Sequence, residues 1–240
     1  FRMAGSSCSV SDANTVINTI VANSFKEFAD ILENADDFDK TVDDLIKHTV
    51  LKHKRIIFNG NNYSSQWLEE AKRRGLPVLN ATPEAVDCLV EDKSFKLFET
   101  FGIFSKTDLI SRHEIKMENY CKIISIEANT MIEIAKREIL PSSMDYASTI
   151  YSSILMKKDI GLDISTETLI AQNLSDNIKN LNDSIIELEV VSANAENAYD
   201  FKDKVIPVMN KLRKHADSLE CIVSKDYWPM PTYSDMLYSV

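Results

Sequence analysis

Glycine and proline are scarce here, with five and six respectively in 240 residues. A loop-rich β architecture needs turn residues at short intervals, so this scarcity argues for long regular elements. Cysteine is also sparse. Cys8, Cys88, Cys121 and Cys221 are scattered, with no C-x-x-C spacing, which suits reduced thiols in a cytoplasmic protein better than a disulfide framework or a zinc site. The four histidines form no H-E-x-x-H or E-x-x-H pair, so zincin and di-iron carboxylate bundles have no support. A Gly-rich phosphate loop and a G-x-S-x-G elbow are absent as well. Positive charge is in deficit. The net charge of −10 makes nucleic acid and anionic membrane surfaces poor partners, because phosphate binding draws on surplus lysine and arginine. No apolar run approaches the ~18–20 residues of a membrane span, and no signal-peptide pattern opens the chain.

What is present is helical periodicity. Hydrophobic residues at 44% can fill a core, and charged residues at 27% suit a soluble surface. The organising stretch runs from Ser105 to Leu140. Ser105 with Asp108 makes a capping box, and the acid also suits the positive end of a helix. Beyond it Met117, Cys121, Ile124, Ala128, Met131 and Ala135 recur at steps of three and four and share one face. Such a helix would be roughly 45–50 Å long at about 1.5 Å per residue, with Pro141 expected to stop or kink it. A further segment passes through Tyr146, Ile150, Tyr151 and Ile154 and ends at Lys157-Lys158 before Gly161. Ile170, Leu174, Ile178, Leu181, Ile185 and Leu188 form one clean stripe. Phe201, Val205, Val208, Leu212, Ala216, Leu219 and Ile222 form another, with Pro207 a local kink. Two stripes joined by a turn at 194–199 read as an antiparallel helical hairpin.

The first half is more punctuated. Residues 12–33 carry a wide apolar face and read as a helix, capped by Ser9, Ser11 or Asp12. The acidic patch Asp36 to Asp39 marks a break, and Thr41 opens a second helix. Residues 56–64 read as a loop, with Asn59-Gly60 favouring a tight turn at positive φ. A short helix through Trp67 stops at Lys72-Arg73-Arg74 and Gly75. Thr82-Pro83-Glu84 starts another, with the hydroxyl as cap, and the helix through Phe95, Leu97 and Phe98 stops near Gly102. The tail from Tyr227 to Tyr233 is aromatic and proline-bound, hence extended. It either packs on the bundle or meets another subunit.

Several stretches resemble one family, type III glutamine synthetase. Phe1-Arg2-Met3-Ala4-Gly5-Ser6-Ser7 followed by Asp12-Ala13-Asn14-Thr15-Val16 is similar to the end of its catalytic domain, where the pattern is E-F-R-M, a Gly-Ser-Ser turn and Asp-Pro-Asn. Ala13 replaces the proline, which would loosen a loop but removes no reactive group. Lys54 to Tyr63 with Trp67 and Gly75 resembles a second segment peculiar to this type. Arg112, Glu118-Asn119-Tyr120, Ile126-Glu127-Ala128 and Leu140-Pro141 resemble its long-helix region. Tyr227-Trp228-Pro229 and Pro231-Thr232-Tyr233 resemble its C-terminus.

The stripes packed together read as an all-α, elongated antiparallel helical bundle, and the resemblance implies that the N-terminal residues are a remnant of the last strand of an α+β catalytic domain. Residues 1–35 would end that domain and 36–240 would form a helical C-terminal domain. It implies an ATP-dependent ligase joining glutamate and ammonia through γ-glutamyl phosphate. Arg2 would be the catalytic and substrate-binding arginine of an E-x-R motif, its planar fork holding a carboxylate or phosphoryl oxygen pair. ATP and Mg²⁺ or Mn²⁺ would be bound mainly by residues upstream, and no metal or nucleotide ligand is expected within the chain. Since Phe1 reads as entered in mid-element, the chain is expected to be the C-terminal portion of a longer polypeptide that is inactive alone. Self-association into a large double-ring homo-oligomer is the implied assembly. A non-catalytic helical interaction protein related to the extension is the alternative.

Overall fold

The computed structural model describes residues 9–61, 63–231 and 233–238, so Phe1 to Cys8, including Arg2 and the expected strand remnant, lie outside the described residues. Among the described residues every regular element is a helix, so the described part of the chain is all-α. The chain divides into two compact units, Phe1–Ile115 and Lys116–Val240, with the division falling inside one long helix.

The first unit carries α1 (Ser11–Leu32), α2 (Phe38–Lys52), α3 (Ser65–Arg73), α4 (Thr82–Asp87), α5 (Asp92–Thr100) and the start of α6 (Lys106–Ile134). Ala13 stands in the first turn of α1 and not in a loop. None of the candidate hydroxyl or acid caps serves as the α1 N-cap, which is Val10; the Ser9 hydroxyl accepts from the amide of Ser11. α2 starts three residues earlier than Thr41, because the carboxylate of Asp37 accepts the Lys40 amide and satisfies the opening turn. At α4 the expected threonine cap is replaced by Ala81, and the Glu84 carboxylate reaches back to the Asn80 amide. The core of this unit is small. Phe95, Phe98 and Leu109 are buried together, with Val16, Val90 and Phe104 packed around them.

The second unit contains the rest of α6, α7 (Leu140–Asp159), α8 (Ser165–Ala193), α9 (Ala198–Asp200), α10 (Ile206–Glu220) and α11 (Tyr233–Tyr238). α7 and α8 run antiparallel: Lys157 pairs with Glu167 beside their connecting turn, while Lys136, before α7, pairs with Glu189 near the far end of α8. The stripe from Ile170 to Leu188 and the stripe from Phe201 to Ile222 meet in one core. Leu174, Leu181, Ile185, Leu188, Val205 and Leu219 are fully enclosed in it. Full burial of each such side chain is worth about 1.5–3 kcal/mol relative to exposure.

Pro141 and Pro207 do not stop their helices. Each is preceded by one π turn, Ala135–Ile139 and Phe201–Val205, after which α7 and α10 resume with the proline in their first turn. A proline lacks the amide hydrogen and its ring collides with the carbonyl four residues back; a widened turn relieves both and lets the chain continue. The Ser105 capping box forms as expected. The Asp108 carboxylate accepts from the Ser105 amide and hydroxyl, and the Asp108 amide donates to the Ser105 oxygen. These bonds hold the Asp108 carboxyl below its usual range.

Gly75, Gly102 and Gly161 sit at positive φ just past α3, α5 and α7. At each, the residue after the glycine donates back to a carbonyl five positions earlier, as Leu76 does to Ala71. The tail packs on its own unit. Trp228 lies against the core, the Tyr227 ring meets Tyr146 at 5.4 Å, and the Tyr227 and Thr149 hydroxyls are 3.2 Å apart. It turns rather than extends there, with the Tyr227 amide bonded to the Ser224 carbonyl.

Candidate functional site

Arg2, the arginine assigned to the chemistry, lies outside the described residues. Among the described residues no three histidine, cysteine or acidic side chains come close enough to hold a metal ion. No helix there is long and apolar enough to cross a membrane. The described residues offer no such cluster. What they do build is a clasp around residues 55–75.

The clasp begins with α3, whose basic last turn follows from the Lys72-Arg73-Arg74 run. Arg74 donates through Nε to Glu70 at 2.6 Å and through Nη1 to the carbonyls of Ile57 at 2.9 Å and Arg55 at 3.2 Å. Phe58 stacks on Trp67 with ring centroids 4.1 Å apart, and the Arg74 guanidinium lies 5.9 and 5.7 Å from those two ring centres. Arg55 closes the loop in return, donating to the Gly75 carbonyl at 3.4 Å. Arg73 donates to both carboxylate oxygens of Glu70 with two bonds of 2.6 Å, sharing Oε1 with Arg74. Held by the hydrogen bonds of Arg73 and then Arg74, the Glu70 carboxyl titrates at about 2.

The Asn59-Gly60 turn differs from expectation. Gly60 is not at positive φ. Its role is steric: a Cβ there would lie 2.6 Å from the tip of the Phe58 ring, so the ring occupies the space a side chain would need. Asn61 then orders the exit, its side-chain oxygen accepting the Tyr63 amide and its carbonyl accepting the Ser64 hydroxyl. The sequence shows a loop between two helices; the stacking of Phe58 on Trp67, nine positions on, carries no periodic signal. Arg74 is engaged with Glu70 and with two backbone carbonyls, so the clasp fixes a surface loop.

Other polar groups are similarly committed. His113 and Asp87 are 2.8 Å apart, tying α6 to α4, and Arg112 lies 4.2 Å from the Phe104 ring centre. Burial pushes the thiols of Cys88 and Cys121 up, away from the thiolate form that reacts. Cys88, Cys121 and Cys221 are free. Burial and then the nearby Lys211 and Lys214 lower His215.

Similarity to known proteins supplies what this geometry lacks. Residues 41–158 match a family model described as the glutamine synthetase C-terminal domain. The chain is 34% identical over 261 residues to the type-3 glutamine synthetase of Dictyostelium discoideum, a match covering 99% of this chain and 35% of that protein. It is 33% identical over 216 residues to a glutamine synthetase of Butyrivibrio fibrisolvens, covering 86% of this chain and 31% of the relative. A glutamine synthetase of Bacteroides fragilis is 27% identical over 257 residues, covering all of this chain and 35% of the relative. The chain spans about a third of the length of the curated relatives it matches.

Proposed function

This chain belongs to the glutamine synthetase family through its C-terminal part, and from that premise we propose that it works as a portion of an ATP-dependent glutamate–ammonia ligase. The observation that carries the proposal is the match to type-3 relatives along 99% of the chain. Residues 1–35 are assigned to the end of the catalytic domain and residues 36–240 to a helical C-terminal domain.

In the proposed reaction a γ-carboxylate oxygen of glutamate attacks the terminal phosphorus of ATP. The bond from that phosphorus to the bridging oxygen breaks and ADP leaves. The nitrogen lone pair of ammonia then attacks the γ-carbon, the bond to the phosphate oxygen breaks, and one proton is lost to give glutamine and phosphate. Charge builds on the phosphoryl oxygens in the first step, and Arg2 is assigned to neutralise it with two parallel donors. Divalent metal, Mg²⁺ or Mn²⁺, supplies electrostatic stabilisation of the same charge when bound. Its ligands and those of ATP are assigned to the part of the relatives that this chain does not span. The helical units serve assembly into a homo-oligomeric ring particle. A cytoplasmic location is supported by the free thiols of Cys88, Cys121 and Cys221 among the described residues.

The test is glutamine formation by the full polypeptide carrying Arg2→Lys, in a particle checked for normal assembly. Loss of turnover on the order of 100-fold is expected for removal of one charge-stabilising fork. Unchanged turnover removes Arg2 from the chemistry and leaves this chain an assembly element.

A further inference from the structure

The charges along α2 are sorted by sign. Residues 33–44, which lead into it and form its first half, hold six acids and one lysine. Residues 52–55, at its other end, read Lys-His-Lys-Arg. The clasp enlarges that basic end. Arg74 donates to the Arg55 carbonyl and Arg55 to the Gly75 carbonyl, which brings the run Lys72-Arg73-Arg74 beside residues 52–55. Six lysines and arginines thus gather at one end of a helix, in a chain whose net charge is −10.

The helix dipole accounts for acids in the first turn and bases in the last, and no farther. Asp43 and Asp44 stand in the second turn, while Lys54, Arg55 and the 72–74 run lie past the last one. Among the described residues Asp36, Asp39 and Asp43 form no ion pair, and neither do Lys52, Lys54 and Lys72. The 15 residues of α2 extend about 22 Å, roughly twice the screening length at 0.1 M salt, so its two ends do not neutralise each other within one chain.

Between the charged ends the surface is apolar and bare. No residue of α2 is buried, and Ile46 and Val50 are 57% and 50% exposed. Asp39, Asp43, Ile46 and Val50 recur at steps of four, three and four and so share one face. Beside that face opens a groove of about 610 Å³ between α1 and α2, with Ile46 and Val50 in its largely apolar wall.

A surface with acids at one end, bases at the other and apolar residues between them is complementary to itself turned end for end. We infer that α2 pairs antiparallel with α2 of a second copy of this chain. A twofold axis across the middle of the helix sets the acidic end of each copy on the basic end of the other and satisfies both at once, as an isologous contact does. Ile46 and Val50 of the two copies then meet at the centre, and the charges fix direction and register. Parallel pairing is excluded by the same pattern, since it would set acid on acid and base on base. The inference deepens the assembly role proposed above and rests on it.

The test is zero-length carbodiimide coupling of carboxylates to lysines on the unmutated full polypeptide, with the links read by mass spectrometry. Amide links from Asp39 or Asp43 to Lys52 or Lys54 are expected. Within one chain such a pair is separated by nine or more residues, at least about 13 Å of helix, so a zero-length link joins two copies. Two charge-exchanged forms check the pairing, one carrying Asp39→Lys and Asp43→Lys and the other Lys52→Glu and Lys54→Glu. Each form alone sets like charges face to face and should sediment as a smaller particle; co-expression of the two should restore the particle and links at the same four positions. Failure of the co-expressed pair to restore them overturns the inference. So do links from Lys52 and Lys54 to acids outside residues 33–44, which would make another part of the polypeptide the occupant. An unlinked polypeptide that still sediments as an oligomer removes this contact and leaves the proposed assembly standing, whereas an unlinked monomer removes both.

Discussion

α1 and α8 are both long helices rich in branched apolar residues, and the molecule treats them differently. α8 spans 29 residues and buries Leu174, Leu181, Ser184, Ile185 and Leu188 against α7 and α10. α1 spans 22 residues, is flanked by α2 and α5, and buries Thr19 alone. The two units repeat the contrast at larger scale. The second encloses fourteen residues from Ala128 to Val223 in one cluster; the first encloses Phe95, Phe98 and Leu109. A periodic stripe states which face must be covered. It does not state whether the cover is in the same unit.

The largest effect that sharpens this contrast is expected in the smaller core. Phe98→Ala removes one of three buried members and should lower the stability of the first unit by about 3–5 kcal/mol. Native-state hydrogen exchange should then show α5 and α1 opening while α8 stays protected. Opening of α8 in step would show that the two units unfold as one. Next comes Leu181→Ala in the larger core, with an expected cost of about 2–5 kcal/mol. Urea unfolding should move the second unit's transition and leave that of the first in place; a shift below about 0.5 kcal/mol would mean that the α8 stripe is not the core it forms here.

A smaller effect is expected at the clasp. Gly60→Ala sets a Cβ against the Phe58 ring and should destabilise the first unit by about 1–3 kcal/mol. Trp67 emission in a Trp228→Phe background should change with it, because the stacked ring must move. The smallest effect is electrostatic. Glu70 has its carboxyl lowered from 4.5 to about 2 by Arg73 and Arg74, so its contribution to stability is full above pH 4.5 and is lost as pH falls through about 2. Over that window the stability of the first unit should fall more steeply in the unmutated chain than in Glu70→Gln. Parallel acid curves would show that the clasp does not depend on the ionised carboxylate.

Much of the second unit is legible in the order of its residues. Every residue of the two long stripes lies in its core or packs against it, because steps of three and four on a helix have one geometric meaning. The Ser105–Asp108 box and the Gly75 stop are legible for the same local reason, since each is a contact within one turn or two. Pro141 reads as a stop or kink and Pro207 as a local kink, and the structure shows continuity through a π turn before each; propensity penalises the proline but is silent on how the preceding turn can widen. The clasp looks like a plain loop. Phe58, Trp67 and Arg74 come together through a chain reversal that no short-range rule encodes. Arg2 is legible only through resemblance, as a word in a family pattern.

The sequence alone settles the helical class, the stripes, most helix ends and the family, since each is written in local spacing or in unusual runs of residues. Only the tertiary structure decides which stripes close on each other and which stay bare, because covering a face depends on neighbours distant in the chain. The same holds for Gly60, which owes its place to a ring folded back over it and not to its own backbone angle.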